Sequence, residues 1–468
     1  MLNTQDNIPR NGKSVGLKLN QKSHATDSKS TPGLSDTKLL VVVSIVVTVF
    51  LVEQNVGIVA DFIPDLLVTP EAIALFIGAG VTFAVGGYLI LSHVKQKQRQ
   101  GSVSAQSLKI SHGGVSIAQY VLVAIIAIVI LQVLLTSQYN LATLYASLSI
   151  SYGLWIVTLA LLAKKLFSWY RSASRNKMVL ILALSMIAYV VNGVFILASN
   201  LGNLQEQPEV VPSDYVAYFP AFDPETWQGQ IYTVLNISSA AGYVLTWIST
   251  VLLLKPYIRK IGKGKFYAIM GAAMVYYLIT FPLFVLGYFT PTEETDADVM
   301  NNILIFGVAN VFSGIVFAAA FLSVARTLQK GSALRDYMKI AAYGMLLFYV
   351  AGSAIASQAA YPPFGLASVA FTGLACYLVY SGFYSSATIM SQDLALRSSI
   401  KKSVMEQSKL LDSIGTAEMS RELQVGVLEA SKKASKTLEE EQGVSPSMTD
   451  SDITEYMQTL LQEIQKSK

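Results

Sequence analysis

Apolar residues along this chain come in long runs separated by short polar segments. Ten runs reach the length of about 20 residues that a helix needs to cross a bilayer. They are residues 39–60, 72–91, 115–136, 141–163, 178–198, 231–254, 266–289, 303–325, 340–357 and 366–390. Glu53, Gln54 and Asn55 interrupt the first, and the ninth is short and holds Gly344 and Gly352. One such run could be a buried helix of a large soluble protein. Ten in one chain predict an all-α fold, a polytopic transmembrane helical bundle of ten spans.

The flanks read differently. Residues 1–38 mix Asn, Ser, Lys, Gly and Pro without apolar periodicity and predict a disordered arm. Because they are polar, the first run is expected to be a retained span and not a cleavable signal peptide. Residues 39–390 form the membrane domain, and residues 391–468 return to a helical period. Ile400, Val404, Leu411 and Ile414 share one face. Gly415 is expected to cap that helix and Thr416 to start the next. Met419, Leu423, Val427, Ala430 and Ala434 continue as a second stripe, and Gly443 and Pro446 mark a linker. Ile453, Met457, Leu460, Leu461 and Ile464 then line one side of a last helix. No Gly or Pro lies between Phe383 and Ile414, so the tail is expected to project directly from the last span as a cytoplasmic helical module. Its stripes call for a cover: each other, a cytoplasmic protein partner, or a second copy in a homo-oligomer.

Charge sets the orientation, because Lys and Arg stay on the cytoplasmic side. All 34 of them fall in the arm, in loops 92–114, 164–177, 255–265 and 326–339, and in the tail. The alternate loops 61–71, 137–140, 199–230, 290–302 and 358–365 hold none, and several carry carboxylates such as Asp61, Glu71, Glu206, Asp223 and Glu293. Both termini are therefore expected in the cytoplasm, with an even number of spans in the cell membrane. A five-plus-five inverted repeat is permitted by that topology.

Composition agrees. Hydrophobic residues make up 53% of the chain and charged ones 14%, against about 25% charged in an ordinary soluble protein. The net charge of +4 resides in short loops that meet anionic headgroups, so the expected partner is the lipid bilayer and not nucleic acid. The single cysteine, Cys376, excludes a disulfide scaffold.

Ionisable groups inside spans mark function in membrane proteins. Glu53 is the only carboxylate within a run. Two accounts fit it: a hydrated or paired residue near the outer interface, or a proton- or cation-binding carboxylate lining an outer vestibule. No lysine or arginine lies in a run, which argues against a carboxylate-relay pump and against a retinal Schiff base. His24, His93 and His112 lack the acidic or cysteine neighbours that would complete a metal set, and are expected in solvent or against headgroups. No catalytic constellation, metal site or cofactor site emerges, so no enzyme is expected.

The runs do carry neutral polar and aromatic stripes. Tyr145, Ser149 and Tyr152 share a face in the fourth, and Ser185, Tyr189 and Asn192 in the fifth. Asn236, Ser239, Tyr243 and Trp247 share one in the sixth, Gly373, Tyr377, Tyr380 and Tyr384 one in the tenth, and Asn310 stands in the eighth. Hydrocarbon would leave these groups unsatisfied, so they are expected to face the interior, as interhelical hydrogen bonds or as the lining of a neutral pocket. Gly78, Thr82 and Gly86 predict close packing, and Pro282 a kink in the seventh run. Loop 199–230, with Tyr215, Tyr218, Phe219, Phe222 and Trp227, fits either a lid over an outer cleft or an aromatic anchor.

Two stretches carry a resemblance: Tyr361-Pro362-Pro363-Phe364-Gly365 before the last run, and Ser391-Gln392-Asp393 through Ser399-Ile400-Lys401-Lys402-Ser403 after it. Over roughly its last third, the chain resembles uncharacterised archaeal polytopic membrane proteins with a helical cytoplasmic tail. That resemblance implies no activity, substrate or cofactor. The residues themselves leave two functions open: a membrane-embedded sensor, signalling or assembly protein presenting a docking tail, or a transporter for a neutral or weakly polar solute.

Overall fold

A computed structural model describes residues 36–62, 69–100, 106–171, 176–203, 209–213, 225–275, 277–278, 296–329, 331–352 and 361–392, with parts of 411–429. These form eleven helices: α1 Asp36–Phe62, α2 Pro70–Gln100, α3 Gln106–Thr136, α4 Leu141–Trp169, α5 Lys177–Asn203, α6 Trp227–Leu254, α7 Ile258–Ile261, α8 Lys263–Val275, α9 Asp296–Thr327, α10 Ala333–Gly352 and α11 Leu366–Gln392. A short helical piece of the tail follows at 414–419.

Eight of these segments, those of α1 to α6, α9 and α11, are long and apolar enough to cross a membrane. They coincide with eight of the ten expected runs, and the protein is a multi-helix membrane protein. In the seventh run α8 has 13 residues, and most of its remainder, Pro282 included, lies outside the described residues. In the ninth, α10 starts seven residues early and carries Arg335, Asp336 and Lys339 in its first turns. That charge keeps it out of the group of eight.

Helix starts follow local chemistry. Asn140 caps α4 by accepting the Ala142 N–H at 2.7 Å. Thr226 caps α6 by accepting that of Gly229 at 3.1 Å, and Asn176 accepts the Met178 N–H ahead of α5. Such caps satisfy donors that would otherwise be orphaned.

The strand pair was not foreseen. β1 (Gln138–Asn140) pairs antiparallel with β2 (Val210–Pro212), with Tyr139 opposite Val211. This ladder pins the described part of loop 199–230 to the α3–α4 turn. Trp227 fills the space where a Gly202 Cβ would sit. The loop's Tyr215, Tyr218, Phe219 and Phe222 lie outside the described residues.

α11 is the axis of the bundle. Its spanning window is wholly buried, and it packs against α1, α2, α3, α4 and α10. Small residues make this enclosure feasible. A Cβ on Gly344 of α10 would lie 2.7 Å from the Val379 nitrogen, and one on Gly382 2.7 Å from the Ala341 nitrogen. On the far side Gly373 sits against Leu154 and the Ser151 carbonyl of α4, and Ser151 donates to the Val369 carbonyl at 2.6 Å.

Three expectations change. Of the two glycines in the stripe on α2, only Gly86 meets a neighbour, Val46 of α1; Gly78 faces open space, and Thr82 is half-buried and donates to the Gly78 carbonyl at 2.8 Å. The close contacts with α3 come instead from Gly80 against Ile130 and Gly87 against Gln119. Gly415 does not end a helix: it lies inside 414–419, where a Cβ would be 2.5 Å from the Met390 Cβ. Its role is close approach, and the tail at this point folds back along the end of α11. His93 is buried and His112 half-buried, because α2 and α3 extend past their apolar runs. His93 is buried in the wall of an apolar crevice with Leu39, Val43, Ile90, Tyr343 and Leu378.

Candidate functional site

Four polar clusters stand out among the described residues, and α11 touches three of them. The first is Glu53. It is fully buried on α1 and reaches the start of α11, accepting the Gly365 N–H at 3.0 Å and the Ser368 hydroxyl at 2.7 Å. The N–H groups of Ala367 and Ser368 add to this set. A carboxylate there satisfies orphan donors and meets the positive end of the helix dipole. The loop before α11 is built for this cap. Gly365 has φ +82°, a conformation that glycine adopts without strain. Phe364 packs edge-on to Phe76, and the Tyr361 hydroxyl donates to the Val133 carbonyl at 3.1 Å. The Tyr-Pro-Pro-Phe-Gly segment is thus a seat for α11. Glu53 is paired inside the protein.

The second cluster gathers much of the stripes of the fifth and sixth runs. Tyr189 and Tyr349 share a hydroxyl–hydroxyl bond of 2.5 Å, and the Trp155 indole donates to the Tyr189 carbonyl at 3.0 Å. Tyr243 bonds the Ala273 carbonyl and the Ser313 hydroxyl and stacks on Tyr277 with centroids 4.0 Å apart. Trp247 donates to the Met270 carbonyl at 2.9 Å. Asn192 donates to the Leu235 carbonyl at 2.9 Å. Phe317, Phe348 and Tyr349 close the cluster with edge-to-face rings. Tyr145, Tyr152, Asn192 and Asn310 are buried, while Asn236 is half-buried with an unpartnered amide nitrogen. Tyr152 touches this cluster through the Trp155 ring. Most of the stripe residues are therefore buried in the bundle, and their donors go largely to backbone carbonyls of neighbouring helices. Removing one hydroxyl of the tyrosine pair, as Tyr349→Phe, should cost about 1 kcal/mol. A double-mutant cycle with Tyr189→Phe in thermal unfolding should show the two changes to be non-additive; additivity would mean that the pair does not form.

The third cluster lies toward the basic end, where α2, α3 and α11 meet. Tyr377 bonds His112 Nδ1 at 3.0 Å, and Gln98 donates to Tyr377 at 3.2 Å and to Ser381 at 3.3 Å. Tyr380 is buried and stacks on Tyr384.

The fourth joins tail to bundle. Glu418 is 1% exposed. It accepts from the Trp169 indole at 2.7 Å and pairs with Lys165 at 3.3 Å and Arg421 at 3.1 Å. Lys165 also lies over the Tyr384 ring of α11, 4.5 Å from its centroid. Leu411, Ile414 and Ala417 are buried on the same tail face. Ser391, at the end of α11, donates to Glu422 at 3.2 Å. Partial burial, then the nearby Glu418 charge, raise the Glu422 carboxyl above its usual range, against the Ser391 bond and the Arg421 and Lys165 charges. Of the expected docking positions, Leu411 is thus buried on the bundle, while Ile400, Val404, Ile453, Met457, Leu460, Leu461 and Ile464 lie outside the described residues.

Glu418, Lys165, Trp169 and Tyr349 are the groups that sequence reasoning missed. Lys165 and Trp169, four apart on α4, present a cation and an indole donor on one face, which was the one available signal. Compared with known protein families, curated proteins and solved structures, the chain matches none.

Proposed function

We propose that this chain is a membrane-embedded sensor or signalling protein whose spans are read out by a cytoplasmic helical tail. One observation carries the reading: Glu418 of the tail is buried against Lys165 and Trp169 of α4, while Gly415 lies against Met390 of α11. The tail thus bridges two helices that pack on each other through Gly373 and Ser151. A shift of α11 against α4 changes that bridge, and a partner that competes for the tail biases the helices in return.

Release of the tail tests it. Glu418→Ala leaves the Lys165 cation and the Trp169 donor without their shared acceptor, a loss of about 2 kcal/mol. Limited proteolysis of the purified protein should then cut the tail roughly 30-fold faster, since local opening sets the rate, with the membrane helices intact. A photocrosslinker at Val425, 47% exposed, should give a discrete adduct in cells that grows with Glu418→Ala. Equal cleavage rates and no adduct would end the proposal. A transporter for a neutral solute is the second reading, supported by the unpartnered amide nitrogens of Asn200 and Asn236. Solute uptake by proteoliposomes of a tail-deleted chain would favour it.

A further inference from the structure

The turn between α6 and α8 concentrates exposed positive charge in a short stretch that holds no carboxylate of its own. Lys97 pairs with Asp336 at 2.6 Å, Lys339 with the same carboxylate at 3.4 Å, and Lys165 with Glu418. In the α6–α8 turn Lys255, Arg259, Lys263 and Lys265 are all exposed, and none has a carboxylate partner among the described residues. The sequence offers none nearby, for no Asp or Glu lies between Glu225 and Glu293. Orientation by positive charge explains why cations are present at this end. It does not explain four of them, unneutralised, on one short turn.

The turn is also built to hold a fixed shape. A 3-10 turn at Lys255–Tyr257 runs into α7. Gly262, at φ +91°, donates to the Ile258 carbonyl at 2.9 Å and accepts the Phe266 N–H at 3.1 Å. Phe266 and Met270 are buried, so α8 is anchored by one face. Beside the cations Tyr267 is 63% exposed, and an exposed tyrosine next to lysines is the signature of the headgroup layer. Four exposed cations without a carboxylate partner among the described residues, together with an amphipathic ring, complement a surface of phosphate-bearing lipids, where each cation near a charged leaflet adds to binding.

We infer that the Lys255–Tyr267 turn is a docking surface for anionic phospholipid headgroups. The full chain is reconstituted in phosphatidylcholine vesicles with trace spin-labelled phosphatidylglycerol or spin-labelled phosphatidylcholine, and the immobilised fraction of each label is compared. The protein should prefer phosphatidylglycerol by about fivefold, the equivalent of one cation at a charged leaflet. The preference should shrink between low and 0.5 M salt, where the Debye length falls to about 4 Å. The quadruple variant Lys255→Gln, Arg259→Gln, Lys263→Gln, Lys265→Gln should lose it. Lys164→Gln with Arg326→Gln, exposed cations of other turns, should keep it. If the quadruple variant does not fold, Lys263→Gln with Lys265→Gln should still halve the preference. Four results overturn the inference: no preference in the wild type, equal loss in the control variant, and complete competition by inorganic phosphate at constant ionic strength, which would make the site one for a soluble anion. The fourth is a preference that appears only when residues 391–468 are deleted, which would make the acidic tail the occupant.

Discussion

Gly382→Val should be among the most destabilising single changes to the described helices. At Gly382 a Cβ would lie 2.7 Å from the Ala341 nitrogen, the Ala341 Cβ and the Tyr337 carbonyl at once. Two of those atoms are backbone and cannot swing aside. α11 cannot retreat either, since α1, α2, α3 and α4 hold its other faces. Overpacking of a tight core costs about 3 kcal/mol when neighbours cannot relax, and this seam sits at that limit. Gly344→Val should behave alike, because its Cβ would meet the Val379 nitrogen and the Ala375 carbonyl. Gly78→Ala is the control: nothing lies within 4 Å of that position, so the helix should be unchanged or slightly firmer. Thermal unfolding of the detergent-purified protein, followed by tryptophan fluorescence, reads all three. A Gly382→Val protein that melts with the wild type would refute the α10–α11 seam.

Glu53→Ala should come second. The carboxylate is buried and accepts from the Gly365 N–H and the Ser368 hydroxyl. Its loss leaves the start of α11 with donors that neither water nor protein satisfies. A hydrogen bond to a charged group is worth about 1.5–3 kcal/mol, and stranded partners keep their desolvation cost. About 3 kcal/mol is therefore expected for Glu53→Ala. Glu53→Gln should lose less, because its carbonyl oxygen still accepts while its amide faces other donors. Asn55→Ala supplies the contrast: Asn55 is exposed and donates back to the Leu51 carbonyl of its own helix at 2.6 Å. If Glu53→Ala and Asn55→Ala melted together, the cap on α11 would be wrong.

These two positions differ in how much of their role could be read from the chain. Glu53 stands out in sequence as a lone intramembrane carboxylate. Its partners, Gly365 and Ser368, are more than 300 positions away, and nothing local points to them. Gly382 and Gly344 carry no mark at all, because a glycine that admits a neighbouring backbone looks the same as one that faces open space. Gly78 and Gly86 make the same point: with identical residues and helical spacing, only Gly86 has a neighbour. The inward stripes were legible because the hydrocarbon penalises an exposed amide or phenol wherever it occurs. Which stripes meet was not: Tyr349, the partner of Tyr189, lies in α10 outside every predicted stripe. Gly415 was read as a cap because its neighbours suit a helix end. Packing against Met390 made it an interior helical residue.

By itself the sequence determined the apolar runs, their helical state and the segregation of cations into alternate loops. Those properties depend on a residue and its near neighbours against a uniform solvent, bilayer or water. Tertiary structure alone decided that α11 is the enclosed axis, that Glu53 seats it at one end, and that Glu418 ties the tail to α4 at the other. Each of those facts depends on shape and on donors brought together across hundreds of residues. Hydropathy is indifferent to both, since a helix that is apolar all round suits lipid and protein surroundings equally.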